Sequence, residues 1–317
     1  MTVSILKGDC RDILKTLPAE SVHCVVTSPP YFGLRDYGVA EQIGLEKTPD
    51  AFVDELVAVF AAVRRVLRAD GTLWLNLGDS YANDGKWGGH TGGKHVKALH
   101  CSPIGRNKRY TGLKPKDLIG IPWLAAFALR ADGWWLRQDI IWSKPNSMPE
   151  SVTDRCTKAH EYLFLLTKSE RYFYDGRAIA EPAAKAGQVL HSYGTGAKDR
   201  QDISEINDRR TRIGLANWNK ACPDTRNRRS VWEITTKPFA EAHFATFPPE
   251  LAELCLLAGC PQGGTVLDPF GGAGTTGLVA DRLKRNAILI ELNPEYAAIA
   301  ERRIMSDAPL FAEVTAA

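Results

Sequence analysis

No β-ladder can run through Thr27-Ser28-Pro29-Pro30-Tyr31. A proline pair has no N–H to give a neighbouring strand, and it stiffens the chain into an extended, polyproline-like path. Just before it stands an apolar run, Val22-His23-Cys24-Val25-Val26, which reads as a buried parallel strand. The chain therefore leaves a sheet at Ser28 in a rigid corner. That corner fixes the Ser28 hydroxyl, the Pro29 carbonyl and the Tyr31 ring relative to one another. Open α/β sheets bind ligands at the carboxyl ends of their strands, so Ser28, Pro29, Pro30 and Tyr31 are the candidate catalytic residues. An ordinary strand-ending turn with a core tyrosine is the alternative this stretch alone leaves open.

Strands and helices alternate around that corner. Residues 3–7 read as a short strand ending at Gly8-Asp9-Cys10, and 12–17 as a helical turn or two closed by Pro18. The clearest helix opens with Thr48 as N-cap and Pro49 in its first turn. Its apolar face runs Phe52, Leu56, Val59, Phe60, Val63, Val66 and Leu67, with Gly71 as the stop. Further strands are expected at 72–77, 138–143, 161–167, 265–267 and 287–292. Further helices are expected at 118–130, with Pro122 in its first turn or kinking it, and at 248–259, 275–285 and 294–304. The tail, 306–317, is expected to fray. This alternation predicts an α/β fold with one doubly wound, mostly parallel sheet. Its catalytic domain would be residues 1–181 together with 231–305.

Near the C-terminus, Val266-Leu267-Asp268-Pro269-Phe270-Gly271-Gly272-Ala273-Gly274-Thr275-Thr276-Gly277 reads as strand, glycine loop and helix. Gly272, Gly274 and Gly277 satisfy the dinucleotide fingerprint, and Glu291 stands where an acid would accept ribose hydroxyls. The pattern admits NAD, FAD or S-adenosylmethionine, and a missing Gly-Lys-Ser/Thr excludes a P-loop. Asp268 favours a methionine-based cofactor, because its charge would repel a pyrophosphate but suit an ammonium or sulfonium.

Charge separates two segments from this framework. Asp84 to Lys116 carries eight Lys/Arg against one acid, and Lys185 to Arg229 ten against five. With the whole chain at +3, the remainder stands at −9. Both segments lack periodicity and read as basic insertions, 83–116 and 182–230, that suit a polyanion. The seven cysteines contain no C-x-x-C pair, and no run approaches the ~20 apolar residues of a membrane helix. Reduced thiols and an N-terminus without a signal-peptide pattern lead to the expectation of a cytoplasmic protein with no metal site.

Taken together, the two loops resemble those of amino-group (N4-cytosine/N6-adenine) DNA methyltransferases. The order is that of the permuted class, with the catalytic loop before the cofactor loop. The family's (Asp/Asn/Ser)-Pro-Pro-(Tyr/Phe/Trp) is matched by Ser28 to Tyr31, and its Asp-Pro-Phe-x-Gly-x-Gly-Thr-Thr by Asp268 to Thr276. The resemblance implies a Rossmann-like, S-adenosylmethionine-dependent methyltransferase fold. It implies that Asp268, Pro269, Phe270, Gly272, Gly274, Thr275 and Thr276 line the cofactor, that Glu291 takes its ribose, and that Asp9 meets the adenine end. Phe247 to Leu251 resembles the segment that closes over the methionine part.

The implied reaction attaches a methyl group to the exocyclic amine of a base flipped out of double-stranded DNA. Acceptors at Ser28 and Pro29 would aim the amine's lone pair, and Tyr31 would stack on the base. A Pro-Cys nucleophile is absent, since Cys222-Pro223 and Cys260-Pro261 run in the reverse order, so carbon-5 methylation is rejected. Serine at the first loop position resembles the cytosine-N4 subset, with adenine N6 as the rival. An RNA methyltransferase, a non-catalytic DNA-binding subunit and a dehydrogenase are weaker alternatives. Asp79, Ser80 and Tyr81 at the next strand end are expected in the base pocket. Arg209, Arg210, Arg226, Arg228 and Arg229 are expected to contact DNA in a target-recognition region, with phosphate gripped by 83–116. His160-Glu161 reads as a polar pair in which the histidine is structural. A homodimer and a cognate restriction endonuclease are the further partners considered.

Overall fold

In this computed structural model residues 1–34, 38–39, 41–82, 111–187, 223–237, 247–307 and 313–316 are described. The chain divides into two units, Met1–Asp175 with Ser230–Ala317, and Gly176–Arg229. In chain order the strands are β1 (Thr2–Lys7), β2 (Val22–Thr27), β3 (Leu67–Leu77), β4 (Trp135–Ser143), β5 (His160–Thr167), β6 (Glu181–Pro182), β7 (Thr225–Arg226), β8 (Val231–Glu233), β9 (Thr265–Asp268), β10 (Asn286–Glu291) and β11 (Glu313–Ala316). The helices are α1 (Cys10–Thr16), α2 (Pro49–Val66), α3 (Ile121–Ala131), α4 (Pro249–Gly259), α5 (Thr275–Arg282) and α6 (Pro294–Asp307).

The larger unit holds one nine-stranded sheet in the order β11-β1-β10-β9-β2-β3-β5-β4-β8. Only β5 runs against its neighbours; the other pairings are parallel. On one face Leu14, Phe52, Leu56, Phe60 and Leu129 of α1–α3 share a buried core with Val25, Leu73, Leu75 and Phe164 of the sheet. Helix α5 packs against α4 and α6; α4 lies on β2 and β3, α5 on β9 and β10, and α6 on β1 and β10. There Gly259 of α4 leaves room for Trp74, whose Nε1 would lie 2.3 Å from an added Cβ. This is the α/β, Rossmann-like layering that the strand pattern predicts. None of the described helices is long and apolar enough to cross a membrane.

Strand order places the site. From β9 the chain passes through α5 to β10 on one side; from β2 it passes through α2 to β3 on the other. Strands β2 and β9 are direct neighbours, with Val25 opposite Leu267. Their carboxyl ends therefore flank the point where the winding reverses, the place where such sheets open a crevice.

Three expectations differ from the structure. Helix α2 begins as predicted, with Thr48 Oγ1 accepting from Ala51 N at 3.2 Å, but it ends at Val66. Leu67 already pairs with Val22, so residues 67–71 are strand and not helix; cross-strand pairing outweighs the helical pattern. Helix α3 starts at Ile121 and not at 118, so Pro122 takes the first-turn place, one of the two expected for it. The tail does not simply fray, since β11 pairs in parallel with β1 from Thr2–Glu313 to Ile5–Ala316. An exposed edge beside β1 is thereby covered.

In the smaller unit β6 and β7 pair antiparallel, Glu181 opposite Arg226. Most of the basic segment 182–230 lies outside the described residues, as does 83–110 of the other.

Candidate active site

The two corners are joined by a buried carboxylate. Asp268, at the tip of β9, is 1% exposed. Its Oδ1 accepts from Thr27 Oγ1 at 2.6 Å and from Phe270 N at 3.1 Å, and its Oδ2 accepts from Thr276 Oγ1 at 2.7 Å. Thr27 ends β2 one residue before Ser28, so this carboxylate clamps the proline corner to the glycine corner. Burial pushes its pKa up to about 6 against the pull of the three donors.

Both corners open into a cavity of about 890 Å³, a size that suits a nucleoside-sized ligand. Ser28, Pro29, Pro30 and Tyr31 line it, and so do Asp9, Pro269, Phe270, Gly272, Thr275 and Glu291. Gly272 holds φ at 50°, and an added Cβ would meet only Phe270 O at 3.9 Å, so the backbone can approach a ligand there. Burial raises the Glu291 pKa while its oxygens accept from Gly272 N at 2.7 Å and Asn293 N at 2.8 Å. Asp9 caps α1 by accepting from Arg11 N at 2.8 Å, and its ion pair with Arg11 keeps its pKa low. Phe247, ahead of α4, also lines the cavity.

Other expected residues stand elsewhere. Asp268, Gly274 and Thr276 are not among the cavity walls. Gly274 is the N-cap of α5 with φ 76°, and an added Cβ would lie 2.8 Å from Ala300 Cβ, so its smallness serves packing. Asp79, Ser80 and Tyr81 are absent from the walls too. Asp79 Oδ1 instead accepts from Ser80 N, Gly120 N and Ile121 N at 2.9–3.1 Å, which caps α3, and Arg155 lies over the Tyr81 ring at 4.1 Å. Gly78, one residue earlier, is the member of this stretch that meets the site: an added Cβ would lie 2.4 Å from the Tyr31 ring. In the smaller unit Glu181 pairs with Arg226 at 2.9 Å and Arg229 at 2.7 Å, and Arg228 Nε donates to Ile179 O. Arg209 and Arg210 lie outside the described residues.

Of the polar group on the far wall, sequence reasoning singles out only Glu161, in the His160-Glu161 pair; Asn76, Lys144 and the link to Tyr31 are missed. The Tyr31 hydroxyl donates to Glu161 Oε2 at 2.6 Å, with Asn76 Oδ1 as a longer acceptor at 3.2 Å. Glu161 Oε1 pairs with Lys144 Nζ, which sits 4.2 Å over the Trp142 ring. Asn76, Lys144 and Glu161 all line the cavity. Their only sequence signal is that polar groups break or border the apolar strands β3, β4 and β5. His160 is not a wall residue; its ring lies edge-on to Tyr162, as a structural histidine would.

The chain is similar to known proteins over nearly its whole length. Residues 22–302 match the DNA methylase family that joins N6 and N4 methyltransferases. The Type II methyltransferase M.XycI of Xanthomonas campestris pv. cyanopsidis is 48% identical over 95% of this chain and 87% of its own length. M.SmaI of Serratia marcescens is 46% identical over 95% and 90%. Among solved structures, the cytosine-N4-specific PvuII DNA methyltransferase shares the fold with a TM-score of 0.61 at 18% identity, over 99% of this chain and 96% of its own. A putative DNA modification methylase of Thermus thermophilus, complexed with S-adenosyl-L-methionine, gives 0.59 at 24%, over 98% and 99%. On the extent of these matches the chain belongs to the N6/N4 family of DNA methylases.

Proposed function

We propose that this chain is a site-specific DNA methyltransferase that takes the methyl group of S-adenosylmethionine to the exocyclic amine of a flipped base, cytosine N4 being the target. The observation that carries the reading is the meeting of two corners in one cavity. Ser28 to Tyr31 on one side and Phe270, Gly272 and Glu291 on the other face the same space, tied through Thr27 and Asp268. The open side of Gly272 and the buried carboxylate of Glu291 fit a nucleoside with ribose hydroxyls, and Phe270 offers a ring beside them. The cofactor supplies an electrophilic methyl on a sulfonium.

An exocyclic amine is a poor nucleophile while its lone pair is spread into the ring. Ser28 Oγ and the Pro29 carbonyl would hold its two hydrogens and leave the lone pair free to form the new N–C bond. The old C–S pair returns to sulfur, positive charge passes to nitrogen, and the nitrogen sheds one proton to water. Tyr31 would stack on the base. Serine at position 28 favours cytosine, as in the N4 subset that this loop resembles. The Type II designation of the relatives supports a place beside a restriction endonuclease.

The test is to incubate the protein with labelled S-adenosylmethionine and duplex DNA and weigh the modified nucleoside. N4-methyldeoxycytidine is expected. N6-methyldeoxyadenosine would move the target to adenine, and no labelled DNA would remove the reading.

A further inference from the structure

We propose that Glu161 is a positioning residue that makes Ser28 a hydrogen-bond acceptor, acting through the Tyr31 phenol; the inference rests on the amino-methyltransferase reading above. A serine hydroxyl has one hydrogen of its own, and it can receive the hydrogens of an amine only if that hydrogen is placed elsewhere. Ser28 Oγ stands 3.4 Å from the Tyr31 oxygen, with Ser28 as donor. The phenol likewise has one hydrogen, and among the described residues its shortest partner is Glu161 Oε2 at 2.6 Å. Asn76 competes poorly at 3.2 Å, because a carboxylate is the stronger acceptor. Both hydrogens therefore run one way, from Ser28 to Tyr31 to Glu161, and the Ser28 lone pairs turn toward the cavity.

The far end of the chain is held in place. Strands β4 and β5 set Trp142 opposite Glu161, which brings Lys144 onto the second carboxylate oxygen. The two side chains are only 17% and 16% exposed. Lys144 balances the Glu161 charge, so what reaches Ser28 is the orientation of two hydroxyl hydrogens and not a charge.

Four proteins test this: Glu161→Gln, Tyr31→Phe, the double variant, and Ser28→Ala. For each, kcat, KM and calorimetric cofactor affinity are measured on duplex DNA. Glu161→Gln is expected to lower kcat about tenfold or more while cofactor affinity holds. In the Tyr31→Phe background the same change should alter kcat by less than about twofold, because the route is already cut. The proposal is overturned if Glu161→Gln keeps wild-type kcat, if its loss is repeated in full in the Tyr31→Phe background, or if cofactor affinity and melting temperature fall along with kcat. Ser28→Ala separates the two readings. An active Ser28→Ala sinks the catalytic assignment, whereas an inactive Ser28→Ala beside an active Glu161→Gln sinks only the role given to Glu161.

Discussion

Asp268 shows how far a residue's chemistry can be read before its surroundings are known. An acid ahead of a glycine loop suggests a charge offered to the cofactor, yet this one is sealed behind the wall by Thr27, Thr276 and the Phe270 N–H. Its task there is to hold two strand tips together. Asp268→Ala would strand those donors, with a cost on the order of 2 kcal/mol in urea unfolding. The loosened glycine corner should also bind S-adenosylmethionine about tenfold more weakly by calorimetry. Asparagine can satisfy the same partners. Its oxygen accepts from Thr27 and Phe270, its amide donates to Thr276 Oγ1, and the Thr276 hydroxyl turns to Val26 O at 3.2 Å. The pH dependence has a definite sign. The folded pKa is raised to about 6 from 3.8. The stability this carboxyl lends is thus full below about pH 4 and lost as pH rises through about 6. Relative to the wild type, Asp268→Asn should therefore gain stability between pH 4 and pH 7, on the order of 3 kcal/mol at most. A difference that stays flat across that range, followed by denaturant midpoint, would count against a buried, charged Asp268.

Among the elements, those with local signals were legible and those made by distant pairing were not. Strand β2 announced itself by its apolar run and proline exit, and α2 by Thr48 and Pro49. Nothing local in residues 313–316 says that they will lie beside β1, and nothing near Glu161 says that an antiparallel strand will carry it to Tyr31. The tip of β3 divides between the two cases. Its Asp79-Ser80-Tyr81 reads as a base pocket; in the structure Gly78 makes room for Tyr31 and Asp79 caps α3. Those roles predict different failures. Gly78→Ala puts a Cβ 2.4 Å from the Tyr31 ring, so it should cut methyl transfer while leaving cofactor affinity intact. Asp79→Ala frees two backbone donors at the start of α3, Gly120 N and Ile121 N, and the Ser80 N–H beside it. It should lower stability by about 1–2 kcal/mol, with the methylation rate per folded molecule little changed. Equal kinetics for Gly78→Ala and wild type would show that the ring is not held from that side.

On the scale of the whole molecule, the charge distribution leads to a prediction about how DNA is met. The framework stands at −9 outside two segments of +7 and +5. DNA approaching an acidic body would be repelled unless those segments carry the contact. Each phosphate neutralised releases counterions, so the logarithm of affinity should fall linearly with the logarithm of salt, by about 0.9 per contact. With a third to a half of the eighteen Lys/Arg in the two segments engaged, the slope should lie between roughly −5 and −8. Binding of S-adenosylmethionine should barely change over the same range, since its cavity is local. The arginines should not count equally. Arg226 and Arg229 already share Glu181, and leaving that carboxylate for a phosphate offsets part of the gain. Replacing Arg226 and Arg229 by alanine should therefore flatten the slope by clearly less than two. A wild-type slope shallower than about −2 would mean that the basic segments do not grip the backbone, and DNA would have to be held by the cavity rim alone.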